Sequence, residues 1–308
     1  MMNYMSKWTT DQIGELDGKR ILITGANHGI GFEAARTLSL KGADLVLAVR
    51  NRGKGEKAAA KIIAQRPSAR VEVMHLDLAD LGSVRQFATT FKERFDRLDV
   101  LINNAGVMIP PYSKTRDGFE LQFGTNHLGH FALTAHLLPL LLATPLSRIV
   151  TVSSIAARRA KIRFDNLDGS KGYSPMTFYR QSKLSNMLFA IELQNRLEIA
   201  GASAISVACH PGISVTNLLS RGSGKETGSI MKALMAIVAQ PASMGALPTL
   251  YAATHPDLRG GEYIGPDGPG NTKGHPVLTN DPAKLFKADL AAKLWEVSEE
   301  LTGIRYPV

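Results

Sequence analysis

Six short apolar runs alternate with stretches of helical spacing, and this alternation constrains the fold more than any other feature of the sequence. The runs are Arg20 to Thr24, Asp44 to Val49, Val71 to Leu76, Val100 to Asn103, Ile149 to Ser153 and Ala204 to Cys209. Between the first two, Phe32, Ala35 and Leu38 recur at intervals of three residues, which is typical of an amphipathic helix. Parallel strands need such helical crossovers, and the crossovers cover both faces of the sheet. The sequence therefore predicts an α/β fold with one doubly wound parallel sheet of the Rossmann type.

Composition excludes several classes of protein. The formal net charge is +9, but the Lys and Arg residues are scattered along the chain, so we expect no nucleic-acid partner. The single Cys209 excludes an intrachain disulfide, and no Cys or His cluster has the spacing of a metal site. The stretch from Met1 to Leu16 lacks a continuous apolar core, so we expect neither a signal peptide nor a membrane anchor there. We expect a cytoplasmic protein without a membrane span.

A glycine-rich turn directly after the first run predicts a phosphate-binding loop. It reads Thr24-Gly25-Ala26-Asn27-His28-Gly29-Ile30-Gly31, and a helix is predicted to begin near Ile30. Glycines let the backbone turn tightly beside a pyrophosphate, while the free N–H groups and the dipole of the helix attract it. We predict that the residues of this turn that bind a dinucleotide are Gly25, Asn27, His28, Gly29, Ile30 and Gly31.

The end of the second run indicates which dinucleotide is preferred. Enzymes of this shape that use NAD(H) place an acidic residue here, which binds the ribose diol and repels a 2′-phosphate. This chain has Val49 followed by Arg50. Arg50, together with His28, can bind a phosphate dianion by charge-assisted hydrogen bonds. The sequence therefore favours NADP(H) over NAD(H). The less favoured alternative is that Arg50 is only a surface cation.

The spacing Gly-x-x-x-Gly-x-Gly, together with four later segments, resembles the short-chain dehydrogenase/reductase family. The segments are Asn103-Asn104-Ala105-Gly106, Thr125-Asn126-His127-Leu128-Gly129, Ser153-Ser154 and Tyr179-Arg180-Gln181-Ser182-Lys183. They follow the order of the family and extend the resemblance over about the first 220 residues. The resemblance implies an oxidoreductase that transfers a hydride between a nicotinamide and an alcohol or carbonyl group.

The pair Tyr179 and Lys183 fits the proton transfer that such a reaction requires. When a hydride leaves an alcohol carbon, a base must take the hydroxyl proton. A free phenol has a pKa near ~10 and needs nearby positive charge to act at neutral pH. Lys183 lies one helical turn after Tyr179 and is expected to supply that charge.

The resemblance also assigns roles to other residues of the catalytic set. Lys183 is expected to bind the nicotinamide ribose, Ser154 to hold the substrate oxygen, and Asn126 to fix a water that carries the proton toward solvent. We choose Ser154 over Ser153 because the second serine of such a pair is the usual match in the family. Strand alternation lets only one of the two face the site.

The resemblance adds further cofactor contacts. Asp77, with Leu78, is expected to contact the adenine, although Asp77 could equally be the N-cap of the next helix. The segment Asn104, Ala105 and Gly106 borders the cofactor. Pro211 and Gly212 are expected to pass beside the nicotinamide, with Thr216 bonding its carboxamide. His210 is interpreted as structural.

We expect one dinucleotide-binding catalytic domain over residues 1–308, because the sequence shows no linker or internal repeat. Residues 17–212 form its predicted Rossmann core. Residues 213–260 are expected to form a lid region over the substrate, with an apolar helix near residues 230–238 that could also belong to the core. Residues 261–308 are expected to contain a last strand and a terminal helix.

Three local details of this organisation are also predicted. The last strand covers Gly261 to Ile264, residues 260–276 form a loop, and the terminal helix opens at Pro282 and continues through Leu294. The basic cluster of Arg158, Arg159, Lys161 and Arg163 is interpreted as a solvated loop.

Within the family, some segments look most like the retinol-dehydrogenase-like and WW-domain-oxidoreductase-like branch. They are Asn126 to Phe131, Tyr179 to Phe189 and the Gly-Pro-Asp-Gly turn at 265–268. Retinoid activity does not follow from this resemblance, and the stretch Asn217 to Pro241 indicates only an apolar alcohol or carbonyl substrate. Members of the family commonly pair through the helices that carry Asn126 and Tyr179, so a homodimer or homotetramer is expected. The alternatives are a double-bond reductase of the protochlorophyllide type and a non-catalytic NADP(H)-sensing protein of the same fold.

Overall fold

The computed structural model describes residues 7–214 and 240–308, and its centre is one sheet. The strands are β1 (Arg20–Thr24), β2 (Asp44–Val49), β3 (Val71–His75), β4 (Val100–Asn103), β5 (Arg148–Val152), β6 (Ile205–Cys209), β7 (Tyr263–Pro266) and β8 (Pro276–Leu278). Among the described residues they follow the order β3-β2-β1-β4-β5-β6-β7-β8. The neighbours from β3 to β7 run parallel, and β8 pairs antiparallel with β7. The predicted doubly wound α/β fold is confirmed.

Helices cover both faces of this sheet. They are α1 (Gly29–Leu40), α2 (Arg52–Gln65), α3 (Leu81–Arg94), α4 (Leu121–Phe123), α5 (Gly129–Ala143), α6 (Pro175–Ile199), α7 (Ala242–Thr254), α8 (Asp281–Leu285) and α9 (Ala288–Thr302). A π-helical turn, Gly124–Leu128, joins α4 to α5. None of the described helices combines the length and the apolar character that a membrane crossing requires.

Alternation along β1 divides the interior into two apolar layers. Ile21 and Ile23 belong to the core shared with α1, α2 and α7. Leu22 belongs to the core on the opposite face, with α3, α5, α6 and α9. Successive side chains of a strand point to opposite faces, so a continuous apolar run in the sequence serves both layers at once.

The C-terminal region differs from the sequence prediction in two places. The predicted last strand, Gly261 to Ile264, begins later as β7, which lies wholly within the stretch predicted as a loop. An unpredicted strand, β8, pairs with it, with Gly265 opposite Val277. The predicted terminal helix is two helices, because Phe286 and Lys287 adopt extended backbone angles between α8 and α9. Phe286 packs against the apolar cluster around α6 and α9, a contact that helical periodicity does not reveal.

Arg158 corrects the interpretation of the basic cluster as a solvated loop. Its Nε lies 2.9 Å from both carboxylate oxygens of Asp281. Its other nitrogens donate to the Gly270 carbonyl and the Asn271 side chain. Arg158 therefore ties the segment after β5 to the C-terminal region.

Much of the predicted lid region lies outside the described residues. This applies to residues 215–239, including the predicted helix near 230–238. The described remainder contains α7, whose Leu247 and Leu250 are buried in the core. This helix therefore belongs to the body of the fold.

The C-terminal helix α9 is fixed by an aromatic cluster on α5 and α6. Trp295 packs edge-on against Phe131, stacks on Phe189, and lies 4.5 Å from Tyr306 between ring centroids. The guanidinium of Arg196 lies 4.2 Å from the Trp295 ring centroid. Aromatic pairs and cation–π contacts of this kind stabilise beyond the burial of area.

Replacing Trp295 with alanine is expected to lower the free energy of unfolding by about 3–5 kcal/mol, because a 2% exposed ring leaves a cavity among its partners. Urea unfolding measures this change. The control Ile199→Ala removes a side chain that is 88% exposed and should change the free energy by less than about 0.5 kcal/mol. Equal effects of the two substitutions would contradict the anchoring role.

Candidate active site

A cavity of about 560 Å³ lies at the carboxyl edge of the sheet, where the parallel strands end. Loops that follow neighbouring parallel strands meet at this edge. The predicted cofactor-binding residues that the structure describes all line it: Gly25, Asn27, His28, Gly29, Ile30, Gly31, Arg50, Asp77, Leu78, Asn104, Ala105, Gly106, Tyr179, Lys183, Pro211 and Gly212. Thr216, the predicted carboxamide ligand, lies outside the described residues.

The glycine turn forms one end of the cavity and has the geometry of an anion site. Gly25 adopts a left-handed φ of 69° and lies against Ala105, so a side chain there would be strained. A Cβ on Gly31 would come within 2.4 Å of the side-chain nitrogen Nδ2 of Asn104. Helix α1 begins at Gly29, and the N-cap residue provides no side-chain capping bond. A helix start of this kind fits a phosphate through its N–H groups and dipole.

Hydrogen bonds join this turn to the loop after β4. The Thr24 hydroxyl oxygen accepts from the N–H groups of Asn104 and Ala105, each at 2.9 Å. The Asn104 side chain donates to the Thr24 carbonyl at 2.8 Å. The glycine turn and the loop after β4 are therefore held together.

The rim beside the end of β2 carries two cations. Arg50 lines the cavity as predicted, and Lys54, in the first turn of α2, lines it as well. Asn51 caps this helix by accepting from the Lys54 N–H. The sequence analysis did not predict Lys54. Its position four residues after Arg50, in the first turn of the following helix, could have indicated that the two cations lie close together.

Asp77 is the only carboxylate among the described lining residues. Its side chain accepts from the Ala79 N–H at 3.0 Å. The alternative interpretation of Asp77 as a helix N-cap is wrong, because Asp80 caps α3 by accepting from Gly82 and Ser83. Asp77 thus stays at the cavity wall, just after β3.

Tyr179 and Ser154 meet at the other end of the cavity. Tyr179 lies in the second turn of α6 and is 6% exposed. Burial raises the pKa of the Tyr179 phenol, and a hydrogen bond with the Ser154 side chain opposes that rise. Ser153 instead donates its hydroxyl to the Lys183 carbonyl at 2.6 Å. The second serine is therefore the one beside the phenol.

Lys183 is buried beside these groups, and its ammonium group bonds the main chain. Its Nζ donates to the Val152 carbonyl at 3.1 Å, and burial lowers the pKa of Lys183 to about 8. The pKa of Tyr179 is raised, contrary to the expected lowering by Lys183. The physical reason is that burial of the phenol disfavours its anion.

Asn126 is not brought to the cavity wall with the other three predicted catalytic residues. It lies fully buried in the π-helical turn. Its Oδ1 accepts from the Val107 N–H at 2.8 Å, and its Nδ2 donates to the Val107 carbonyl and to Ser182. Its side chain therefore joins the loop after β4 to α6.

Several apolar residues that sequence reasoning missed also line the cavity, and they are called the apolar wall below. It consists of Met108, Pro110, Leu121, Ile155, Met176 and Ile213. Gln122 holds this wall, because its Oε1 accepts from the Ile109 N–H and its Nε2 donates to Tyr173 and to the Pro175 carbonyl. Residues 108–110 come shortly after Asn104, Ala105 and Gly106 in the sequence. This proximity to predicted site residues could have indicated that they line the cavity.

Metal chemistry has no candidate in the part of the chain that the structure describes. No group of three His, Cys, Asp or Glu side chains there is arranged to hold an ion. His210, interpreted as structural, is fully buried beside Tyr263. Burial lowers the pKa of His210 to about 3.

Comparison with known proteins agrees with this geometry. Residues 19–223 match the family described as short chain dehydrogenase. Retinol dehydrogenase 12 of Mus musculus is 42% identical over 294 residues, which cover 95% of this chain and 89% of the relative. Retinol dehydrogenases 11, 13 and 14 from mouse or human are also similar. The resemblance to the retinol-dehydrogenase-like branch is therefore confirmed.

Two solved structures share the fold. An uncharacterised protein from Mycobacterium paratuberculosis superposes with a TM-score of 0.81 at 42% identity, covering 98% of this chain and 100% of that one. A short chain dehydrogenase from Shigella flexneri, complexed with NADP, gives a TM-score of 0.63 at 23% identity and covers 80% of this chain and 96% of its own.

Substituting Lys183 with methionine should stabilise the cofactor-free protein below pH 8, by roughly 1–3 kcal/mol, because it removes a buried ammonium group. The folded-state pKa of Lys183, about 8, lies below its ordinary value of 10.5. The unfolded chain therefore binds more protons between these values, and wild-type stability should rise with pH across that window. Urea unfolding at several pH values measures this slope.

The exposed Lys54→Met substitution is the control and should keep the wild-type slope. If Lys183→Met and Lys54→Met unfolded with the same dependence on pH, the buried-charge account of Lys183 would be wrong.

Proposed function

Because this chain belongs to the short chain dehydrogenase family, we propose that it transfers a hydride between NADP(H) and the alcohol or carbonyl group of an apolar substrate. One observation carries the proposal. Ser154, Tyr179 and Lys183 line the same cavity as the glycine turn and the first turn of α1. A nucleotide bound at the glycine turn would therefore share one cavity with these candidate proton-transfer groups.

The proposed preference for NADP(H) depends on the charge of the rim. Arg50 and Lys54 lie where the end of β2 meets α2, and both are exposed. No acidic residue occupies the position after Val49 to repel a 2′-phosphate. The guanidinium can form paired charge-assisted hydrogen bonds with a phosphate, and the ammonium adds a second positive charge.

The residues around Tyr179 would supply the proton chemistry. When bound, NADP(H) supplies or accepts the hydride. In the reduction direction Tyr179 donates its phenolic proton to the substrate oxygen, and Ser154, beside the phenol, donates a hydrogen bond to the same oxygen. Lys183 contributes positive charge. Its Nζ lies close to Gly106 of the loop after β4, since a Cβ added at Gly106 would be 3.6 Å from it.

The Tyr179 phenol is protonated at neutral pH, because burial raises its pKa from an ordinary value of 10.0. Because burial keeps the phenol protonated, the group is ready to act as an acid. Oxidation of an alcohol requires the phenolate, which becomes more populated as the pH rises. At neutral pH Tyr179 is therefore in the protonation state that carbonyl reduction requires.

The apolar wall indicates the substrate class. The cavity that contains Tyr179 and Lys183 is also lined by the six carbon-rich residues of the apolar wall. Apolar walls with a few polar groups select uncharged ligands and orient them. The mouse relative is named a retinol dehydrogenase, and an apolar alcohol or carbonyl for this chain agrees with that name.

Arg50→Ala is expected to weaken NADPH binding about 10- to 100-fold, because it removes hydrogen bonds to a charged phosphate. NADH binding should change by less than about twofold, since NADH has no 2′-phosphate. Titration of purified protein, followed by cofactor fluorescence, measures both constants. Arg52→Ala is a matched control, because Arg52 pairs with Glu56 on the exposed side of α2. Equal loss with both cofactors would refute the assigned role of Arg50.

Tyr179→Phe is expected to reduce turnover about 10²- to 10⁴-fold while NADPH affinity stays within about twofold of wild type. The assay follows the loss of NADPH absorbance with a panel of apolar aldehydes and ketones, and the products are identified. Tyr112→Phe is the control, because the Tyr112 hydroxyl donates to Asp168 and lies outside the cavity lining.

Undiminished turnover in Tyr179→Phe would contradict the proton-donor role. A saturated carbon–carbon bond in the product, with the carbonyl retained, would instead identify a double-bond reductase. Binding of NADPH without turnover of any substrate in the panel would favour the non-catalytic alternative.

A further inference from the structure

His130 is a buried histidine whose two ring nitrogens both form hydrogen bonds at 2.9 Å. It lies in the first turn of α5 and is 1% exposed. Its Nδ1 contacts the main-chain carbonyl of Asn126, and its Nε2 contacts the hydroxyl of Thr24. One side chain thus joins the π-helical turn to the end of β1.

These partners determine the tautomer of the ring. A carbonyl can only accept, so Nδ1 carries the hydrogen. Burial lowers the pKa of His130 to about 4, so the ring is neutral at physiological pH and Nε2 must accept. The Thr24 hydroxyl therefore donates to His130, and its oxygen lone pairs are left for the N–H groups of Asn104 and Ala105.

The same contacts close a network around the loop of residues 104–107. Thr24 holds the start of this loop through two N–H groups. Asn126 holds its end through both the N–H and the carbonyl of Val107. His130 bonds to both holders, so the two attachments are linked to each other through one ring.

We propose that His130 is a positioning residue for the loop of residues 104–107, which borders the cofactor end of the cavity. This inference rests on the proposed function, since it assigns the cofactor as the ligand that the loop contacts. His130 itself is not among the residues that line the cavity. It acts by directing the Thr24 hydroxyl and by holding the Asn126 carbonyl.

The chemistry of the position supports this role. Most of α5 is apolar and buried, and a hydrophobic side chain would fill the space without the desolvation of two ring nitrogens. A buried polar ring is tolerated because both nitrogens are satisfied. Removing it leaves the Asn126 carbonyl without its ring partner and leaves the Thr24 hydroxyl hydrogen free to turn toward other acceptors.

The test compares His130→Leu, His130→Gln and His127→Gln. His127 is also buried, one turn earlier, but it bonds Ser298 of α9 rather than the loop. We expect His130→Leu to weaken NADPH binding about tenfold, measured well below the melting temperature of each variant. The amide of His130→Gln can replace the acceptor for Thr24, so this variant should recover most of the affinity. His127→Gln should lower the melting temperature but leave the NADPH affinity within about twofold.

A double-mutant cycle gives an independent check. Thr24→Val removes the hydroxyl with little change of shape and should weaken NADPH binding as His130→Leu does. If the two residues act through one contact, the double variant should bind no more weakly than the weaker-binding single variant. Fully additive losses would overturn the proposed coupling.

Hydrogen exchange of the cofactor-free protein separates this inference from the proposed function. The amides of Asn104, Ala105 and Val107 should exchange faster in His130→Leu and at the wild-type rate in His127→Gln. Unchanged exchange, or an unchanged NADPH affinity in His130→Leu, overturns the positioning role. If the wild-type protein binds no NADPH while the two variants still differ in exchange as expected, the proposed function is refuted. The assignment of the cofactor to this loop is then refuted with it.

Discussion

The hydrogen bonds between Thr24 and the loop after β4 hold the candidate active site together. β1 lies between β2 and β4, so the order of the strands reverses beside it and the loops on its two sides diverge. Open α/β sheets form their ligand crevices at such a reversal. Here the Thr24 hydroxyl and carbonyl draw the loop after β4 against the glycine turn, and Gly31 permits the contact because it has no side chain. The depth and floor of the cavity follow from that contact.

Helix α6 then combines chemistry with burial at some expense in stability. It places Tyr179 and Lys183 on one face. Burial favours the neutral form of each group, so it raises the pKa of the phenol and lowers the pKa of the amine to about 8. Neutral groups are tolerated in a dry interior far better than charged ones. The aromatic packing of Trp295 against α5 and α6 offsets part of that penalty. A site of this kind therefore depends on the C-terminal helix, although α9 contributes no residue to the cavity lining.

The cavity divides into two environments that match the two halves of a hydride transfer. One end has backbone N–H groups and the cations of the β2 rim, which suit a phosphorylated nucleotide. The other end has the phenol of Tyr179 against carbon-rich residues such as Met108 and Met176. Charge attracts the nucleotide to the first end, while desolvation at the second selects an uncharged partner. Ser154 and Tyr179, which would act on the substrate oxygen, line the same cavity.

The sequence by itself determined the parallel sheet, the glycine turn, Arg50 and the order of the segments that carry Ser154, Tyr179 and Lys183. The sheet and the glycine turn follow from local rules, because apolar periodicity and glycine spacing act within a few residues. The catalytic segments were indicated by the resemblance of their order to that of the family. Only the tertiary structure decided that Lys54 joins the rim, that Asn126 binds Val107, and that His130 bonds both Thr24 and Asn126. It also decided the rise in the pKa of Tyr179 and the break between α8 and α9. Hydrogen bonds between distant residues and the desolvation of buried groups depend on how the elements pack, and no local pattern encodes that packing.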